Sequence, residues 1–438
     1  MPGEFETLLN EFSTLRLCRD IGRLIELSRG TFLVGGLSRA ALGDRVLIRA
    51  PQGNLGGEII RLSPQGALVL PEEDPQGLGI GLPVELLGQS FIRPDSSWLG
   101  RILDPLGEPL DGRPLIKGRQ PRSIVNSPPP AALRKGFGQR LSTGLCIFDT
   151  LLPLVQGQRL GLFAGSGVGK STLLSKLAQK VESDIAVIAL VGERGRELRE
   201  FTERTLGPLG MARSIIVAAS SDQSPLMRRR CAMTAMSIAE YFRDQGKNVL
   251  LMIDSITRFA EAHREIAVAS GEEASLRGYP PSTSHMIMSL AERAGPGVEG
   301  SGDITGIFTV LVAGSDMEEP VSDILRGTID GHVILDREIA ERGRYPAVDF
   351  LRSVSRSLPQ AATPEENALI AEVRRTLGAY DRIELLVKTG IYEKGNDAET
   401  DRAVDLFTPL DEFMASDAPE GGPEASFARL AEILAQPI

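Results

Sequence analysis

A glycine-rich segment between an apolar strand and an amphipathic helix restricts this chain more than any other feature. Residues 160–163 have the pattern of a buried strand, and Leu173, Leu174, Leu177 and Ala178 have the spacing of the buried face of a helix. Between them lies Ala164-Gly165-Ser166-Gly167-Val168-Gly169-Lys170-Ser171-Thr172. The glycines allow backbone N–H groups to turn inward around phosphate oxygens, and the following helix points its positive end at them. The segment therefore predicts a phosphate-binding loop (P-loop) for a nucleoside triphosphate.

The end of this loop carries the two side chains that a bound triphosphate requires. We expect Lys170 to reach the β- and γ-phosphates and the Ser171 hydroxyl to ligate Mg²⁺. Ala164 stands where the usual motif has its first glycine, which is a mild departure because the phosphate-facing glycines remain. The predicted nucleotide-binding residues are Gly165, Ser166, Gly167, Val168, Gly169, Lys170, Ser171 and Thr172.

Two further strand ends carry candidate catalytic side chains. The apolar run 248–253 ends in Asp254, which predicts a carboxylate at the carboxyl edge of a sheet, where it holds Mg²⁺ directly or through water. By itself such an aspartate is more often a helix N-cap. The strand 185–191 is followed by Glu193 and Arg194, which are placed to polarise the attacking water and to approach the γ-phosphate. The alternative for this second segment is a solvated charge cluster.

Length and composition limit the classes of protein that remain. A chain of 438 residues suits two or three domains, and 42% hydrophobic with 24% charged residues is ordinary for a soluble protein. We expect a cytosolic protein, because no apolar run reaches membrane length and no signal peptide is recognisable. Three separated cysteines and three separated histidines predict neither disulfides nor a metal site of those residues. The net charge of −10 argues against a general nucleic-acid surface.

The region before the P-loop divides into a helix, a barrel and a linker. Within 1–18, the apolar residues of 4–17 recur at helical spacing, which predicts an amphipathic helix that either packs on its own domain or docks a partner. Short Val-, Ile- and Leu-rich strands with turn signals over 19–92 predict a small antiparallel barrel. This barrel lacks the aromatic residues that stack on bases, so a structural or oligomer-forming role is expected. The Pro- and Gly-rich segment 93–135 is predicted to be a linker.

The remainder of the chain is predicted to hold two more domains. Apolar strands alternate with helical patterns over 136–358, which indicates an α/β domain with a mostly parallel sheet. The Ala-, Leu-, Glu- and Arg-rich part 359–438 has helical periodicity and predicts a helical domain. The expected fold is thus a RecA-like P-loop NTPase core with a β-barrel before it and a helical domain after it.

Several of these segments together resemble the hexameric rotary-type ATPases and their secretion relatives. The resemblance lies in the P-loop, in Asp254-Ser255-Ile256-Thr257-Arg258-Phe259-Ala260, and in Pro346-Ala347-Val348-Asp349 followed by Ser353-Val354-Ser355. Within that group, residues 163–174, 192–197, 277–282 and 330–335 are most similar to type III secretion ATPases, above all the flagellar export ATPase. The segment 392–397 is also similar to its counterpart in the export ATPases.

The resemblance implies roles that the residues alone do not give. Glu193 is implied to be the catalytic glutamate that orients water, with Lys170 and Arg194 beside it. Tyr345 is implied to stack on adenine, and Arg356 to be an arginine finger inserted into the neighbouring subunit's site. The implied ligands are ATP and Mg²⁺, the latter on Ser171 and Asp254. Without the resemblance, Tyr345 would be read as a partly buried tyrosine and Arg356 as a salt-bridge partner.

The implied activity is ATP hydrolysis by a homohexamer that energises type III protein export. The similarity favours flagellar components as the exported proteins. The implied partners are a regulatory stator-like protein at the N-terminal helix, a central-stalk protein, the membrane export gate, and export substrates with their chaperones. No nucleic acid is expected, and the implied location is the cytoplasm, peripherally at the membrane export apparatus. The alternatives are an injectisome ATPase, an F-type catalytic subunit, a non-catalytic nucleotide-binding subunit and a hexameric RNA translocase.

Overall fold

The computed structural model describes residues 18–28, 30–312, 317–395 and 397–436, without the side chain of Leu276. The predicted N-terminal docking helix lies outside the described residues. Within those residues, no helix is both long enough and apolar enough to cross a membrane.

The described chain begins with a closed barrel whose neighbouring strands all pair antiparallel, as predicted. Its strands are β1 (Ile21–Ser28), β2 (Thr31–Gly35), β3 (Arg45–Ala50), β4 (Gly53–Ser63), β5 (Gly66–Pro71) and β6 (Pro83–Gly88), in the order β1-β2-β5-β4-β3-β6. Alternate apolar residues such as Phe32, Val46 and Val69 point into the barrel and form its core. The sequence did not predict β6, because Pro83 at its start and the buried Glu85 within it interrupt the apolar alternation.

An eight-stranded sheet follows, with the order β16-β15-β10-β14-β13-β11-β12-β8 in the part of the chain that is described. Its strands are β8 (Ile102–Leu103), β10 (Arg159–Ala164), β11 (Ile185–Glu193), β12 (Ser214–Ser220), β13 (Val249–Asp254), β14 (Ile304–Leu311), β15 (Gly331–Leu335) and β16 (Val348–Ser355). All neighbouring pairs are parallel except β15–β16. The central strands are buried on both faces, which explains why they read as continuous apolar runs.

The segment predicted to be a linker is part of the folded core. Strand β8 lies at the edge of the large sheet beside β12, and a small ribbon joins β7 (Phe91–Ile92) to β9 (Arg122–Ser123). Short 3-10 helices occupy Ser96–Trp98 and Ala131–Leu133. Trp98 is fully buried and donates from its indole nitrogen to the carbonyl of Ile116 at 2.6 Å. The Pro- and Gly-rich composition therefore reflects tight turns on a packed surface.

Helices cover the large sheet and continue into the C-terminal region. Over the core these are α1 (Cys146–Asp149), α2 (Lys170–Lys180), α3 (Gly195–Glu200), α4 (Gly207–Ala212), α5 (Pro225–Asp244), α6 (Ile256–Ser270), α7 (Ser282–Glu292), α8 (Pro320–Thr328) and α9 (Arg337–Glu341). A π-helical turn spans Phe201–Leu206, and a 3-10 turn spans Leu276–Gly278. The C-terminal region consists of α10 (Pro364–Lys388), α11 (Ala398–Ala415) and α12 (Gly422–Leu434). Its apolar faces share one hydrophobic cluster with α1 and α2, so the helical region packs directly on the core.

Candidate functional site

The P-loop joins the end of β10 to the start of α2, as the sequence predicts. Gly167 and Gly169 have φ of 80° and 86°, a left-handed conformation that favours glycine. Val168 is buried in the core and anchors the middle of the loop. The predicted inner face of α2, formed by Leu173, Leu174, Leu177 and Ala178, is buried. The free N–H groups at the start of α2 therefore point toward the loop, which is the arrangement that binds phosphate.

The loop forms one wall of a large cleft of about 1240 Å³. All nine residues 164–172 line it, together with Glu193, Arg194 and residues from the segments around 257–261, 277–279 and 319–321. A cleft of this volume accommodates a nucleoside triphosphate, since small-molecule sites are typically about 300–1,000 Å³.

Three predicted site residues meet at the carboxyl edge of the sheet. The Lys170 ammonium group contacts the Asp254 carboxylate directly and lies 3.9 Å from a carboxylate oxygen of Glu193. Asp254 is almost fully buried, and its Oδ1 also accepts a hydrogen bond of 2.7 Å from the Thr309 hydroxyl. The parallel order β10-β14-β13-β11 brings these side chains together, because the carboxyl ends of neighbouring strands share one edge.

Glu193 has the electrostatic environment of a general base that works near neutral pH. Burial, followed by the negative charge of Asp254 and a hydrogen bond with Glu197, raises the pKa of Glu193 to about 7, while Lys170 acts in the opposite direction. The same hydrogen bond holds the pKa of Glu197 below its usual value. A carboxyl group whose pKa lies near the working pH can accept a proton from water and release it again.

Besides the predicted Arg194, four arginines line the cleft in the described part of the chain: Arg228, Arg258, Arg277 and Arg337. Arg194 lies at the cleft but is largely exposed and paired with Glu197 at 3.0 Å. Arg258, on α6, and Arg228, on α5, also line the cleft, and a methyl group placed on Gly192 would contact both side chains. Arg258 lies in the segment 254–260 that resembles the rotary-type ATPases, so the sequence pointed to it. Arg228 belongs to a run of three arginines, and nothing in the sequence indicates which of the three faces the cleft.

The donor set at this edge fits a magnesium ion that is held together with a triphosphate. Mg²⁺ is usually bound by one or two protein oxygens, with phosphate and water oxygens completing the octahedron. Ser171, at the exposed start of α2, and Asp254 are the oxygen donors of that kind. No cluster of three or more His, Cys, Asp or Glu that could hold a metal occurs in the described ranges. Ser171 and Asp254 fit a cation that arrives with its nucleotide.

The structure places Tyr345 beside the P-loop and Arg356 away from the cleft. The half-exposed ring of Tyr345 packs against the P-loop, with ring atoms 3.0 and 3.1 Å from where a β-carbon on Gly169 would stand. Arg356 is exposed and does not belong to the described residues that line its own chain's cleft. Its guanidinium donates to the carbonyls of Ile329 at 3.2 Å and Arg326 at 3.4 Å. Eight of the predicted binding residues and Tyr345 are thus gathered around one loop, while Arg356 lies elsewhere.

Taken together, the RecA-like sheet, the P-loop and the paired acidic residues define a P-loop nucleoside triphosphatase. Residues 144–355 match the ATP synthase alpha/beta family nucleotide-binding domain, and residues 362–432 match the type III secretion EscN ATPase C-terminal domain. The chain is 45% identical to the Flagellum-specific ATP synthase of Agrobacterium fabrum, over 94% of this chain and 88% of that protein. It is 41% identical to the Type 3 secretion system ATPase of Xanthomonas euvesicatoria, over 93% of this chain and 92% of that protein.

The solved structures agree with the sequence relatives. The assembled ATPase EscN of the enteropathogenic E. coli type III secretion system matches with a TM-score of 0.88 and 36% identity, over 94% of this chain and all of that one. EscN in complex with its central stalk EscO matches with a TM-score of 0.86. The chain therefore belongs to the family of flagellar and type III secretion ATPases, and it is an ATP-hydrolysing enzyme. The predicted family and fold class are confirmed.

Proposed function

We propose that this chain hydrolyses Mg·ATP at sites shared between neighbouring copies of a homohexamer, and that the hydrolysis energises type III export of flagellar components. The observation that carries the proposal is the division of the predicted machinery. Glu193 and Lys170 line one cleft and Asp254 contacts Lys170 beneath it, whereas Arg356 lies exposed outside that cleft. An arginine finger supplied by a neighbour requires this separation.

We assign a role to each of the predicted site residues, and their contacts support these roles. Lys170 neutralises the β- and γ-phosphates, and Ser171 and Asp254 hold the cation. When bound, Mg²⁺ neutralises charge on the transferring phosphoryl group. Glu193 orients the attacking water and accepts its proton, which its pKa of about 7 permits at neutral pH. Arg194 contacts the γ-phosphate, and Tyr345, which packs against the P-loop without lining the cleft, stacks on adenine.

Arg356 of the neighbouring copy is proposed to neutralise charge on the γ-phosphate during transfer. Arginine fingers contribute roughly 10³–10⁵ in rate in comparable enzymes. We therefore expect Arg356→Ala to bind ATP nearly as well as the wild type while its turnover falls by about that factor. We expect Glu193→Gln to bind ATP and leave it unhydrolysed.

A mixture of these two inactive variants tests the shared site directly. In a mixed ring, one kind of interface combines Glu193 of the Arg356→Ala copy with Arg356 of the Glu193→Gln copy, and this interface has every wild-type group. We expect ATPase activity to reappear on mixing and to increase in proportion to the fraction of interfaces that have both Glu193 and Arg356. A mixture that remains as inactive as its components, although mixed rings form, would contradict the shared site.

The assignment to flagellar export rests on similarity, since the flagellar relative in Agrobacterium fabrum is somewhat more similar than the secretion relative in Xanthomonas euvesicatoria. A central-stalk protein is a proposed partner, because EscN was solved with its stalk EscO. The exposed apolar side chains Leu385, Leu386 and Ile391 at the α10–α11 connection suit such a contact. The export gate, export substrates with their chaperones, and peripheral membrane association remain further parts of the proposal.

The proposed regulatory, stator-like partner of residues 1–18 can be tested together with the export system. We expect a pull-down with the intact chain to recover flagellar components and the same experiment without residues 1–18 to lose the regulatory one. Recovery of injectisome components instead would favour the alternative secretion system, and recovery of a central stalk with F-type partner subunits would favour the F-type alternative.

A further inference from the structure

Helix α8 begins at the nucleotide cleft of its own chain. Glu319, Pro320 and Val321, at its first turn, line the cleft. The Arg277 side chain, which also lines the cleft, donates from Nη1 to the carbonyl of Glu318 at 2.8 Å. The start of α8 is therefore held by the cleft wall through Arg277.

The other end of the same helix holds the arginine that is proposed to act on the next subunit. Nη1 of Arg356 donates to the carbonyl of Ile329, and Nη2 donates to the carbonyl of Arg326. Arg326 lies in the last turn of α8, and Ile329 is its C-cap. The last carbonyls of a helix carry a partial negative charge, so they suit a guanidinium group.

The helix between these two ends is short and firmly packed. Its nine residues span about 13 Å at 1.5 Å per residue. Val321, Ser322 and Leu325 are buried, and the two apolar residues join the hydrophobic cluster on one face of the large sheet. A short helix with a buried face moves as a unit, because a packed interior transmits a displacement instead of absorbing it.

From this arrangement we propose that α8 positions Arg356 according to the occupancy of its own chain's cleft, so that a subunit that holds ATP offers its arginine to the next site. The inference rests on the proposed function, since it requires Arg356 to act on a neighbouring subunit. A triphosphate in the cleft attracts the Arg277 guanidinium, which is hydrogen-bonded to the carbonyl of Glu318 just before α8. The helix carries the resulting displacement to the carbonyls of Arg326 and Ile329.

The backbone of Arg356 is anchored independently of this contact. Its N–H donates to the carbonyl of Asp330 at 2.9 Å, and the Asp330 carboxylate is paired with Arg159 on β10. The position of the residue is therefore set by the sheet, while the direction of its side chain is set by the end of α8. Arg326 and Ile329 act through Arg356 and are positioning residues.

The test compares two donors of Arg356 in mixed rings. The acceptor is Arg356→Ala, which has an intact cleft but no arginine of its own. The first donor is Glu193→Gln, which holds ATP; the second is Glu193→Gln combined with Lys170→Ala, which does not. We expect the first donor to restore at least about fivefold more ATPase activity per mixed ring than the second, within the usual range of coupling between sites.

The possible outcomes separate this inference from the function on which it rests. If neither donor restores activity in rings that form normally, the shared site itself is wrong. If both donors restore the same activity per ring, the shared site stands and the role of α8 is overturned. Light scattering on each mixture gives the number of rings, so that a difference in assembly does not enter the comparison.

A second pair of variants tests the helix itself. Thr328 in the last turn of α8 donates its hydroxyl to the carbonyl of Ile324 at 2.8 Å, and Thr389 makes the same contact with Leu385 at the end of α10. Thr328→Gly places a second glycine directly after Gly327 and loosens the last turn of α8, because glycine weakens a helix. Introduced into the ATP-holding donor, Thr328→Gly should lower the restored activity to that of the donor without ATP, whereas Thr389→Gly should leave it unchanged. Equal activity with the two substitutions would also overturn the role of α8.

Discussion

The raised pKa of Glu193 predicts an acidic limb in the pH dependence of ATP hydrolysis near neutrality. Glu193 must be ionised to accept a proton, and its pKa is about 7 in the free protein. At pH 6 only about a tenth of the molecules carry the ionised form, whereas at pH 8 about nine tenths do. Since kcat/KM reports the ionisation of the free enzyme, we expect it to fall about tenfold between pH 8 and pH 6.

Glu197→Gln is the perturbation that tests the origin of this limb. The negative charge of Glu197 and its hydrogen bond both raise the pKa of Glu193, so removing that charge should move the limb to lower pH. The ratio of kcat/KM at pH 6 to kcat/KM at pH 8 should be larger in Glu197→Gln than in the wild type. The increase is at most about tenfold, because Glu193 is then fully ionised at pH 6. Comparing the ratio within each variant cancels any change in the plateau rate.

A steady-state ATPase assay with saturating Mg²⁺, measured at both pH values, gives this ratio directly. Glu203→Gln is the matched control, because Glu203 lies in the next turn, is exposed and pairs with Arg199 instead of Glu193. A wild-type kcat/KM that is flat between pH 6 and pH 8 would refute the assignment of Glu193 as the group that titrates. A limb that is unchanged in Glu197→Gln would refute the contribution of its neighbour.

Two further substitutions test the loop and the junction between barrel and core. Gly169→Ala should weaken ATP binding at least tenfold in a titration, because φ is 86° and the new methyl group would press on Tyr345. The control Gly246→Ala should leave ATP binding unchanged, because Gly246 has a similar φ of 81° but open space around it. Arg230→Ala should lower the unfolding free energy by roughly 1.5–3 kcal/mol, because it removes the buried charged hydrogen bonds to Glu58 and Glu72, which keep Arg229 and Arg45 as their remaining partners. The exposed Arg199→Ala should leave the unfolding free energy nearly unchanged in the same denaturation experiment, and equal losses in the two variants would contradict the buried network.

Much of the candidate site could be predicted from sequence because its signals are local. The P-loop, the inner face of α2 and the strand that ends in Asp254 each depend on residues that are close in the chain. The antiparallel barrel and the parallel sheet also follow from periodicity. Strand β6 was missed because Pro83 and Glu85 interrupt its pattern, and the predicted linker 93–135 proved to contribute β8 to the large sheet.

The sequence by itself determined that this chain binds a triphosphate, because glycines, a lysine and a hydroxyl in one short segment set the backbone and the charge of the loop. It could not determine which arginine of α5 faces the cleft, or that α8 runs from the cleft to Arg356. Those relations depend on the order of strands in the sheet, which brings together residues that are distant in the chain. Only the tertiary structure decided them, because long-range packing sets the distances between side chains and has no local pattern that the sequence could show.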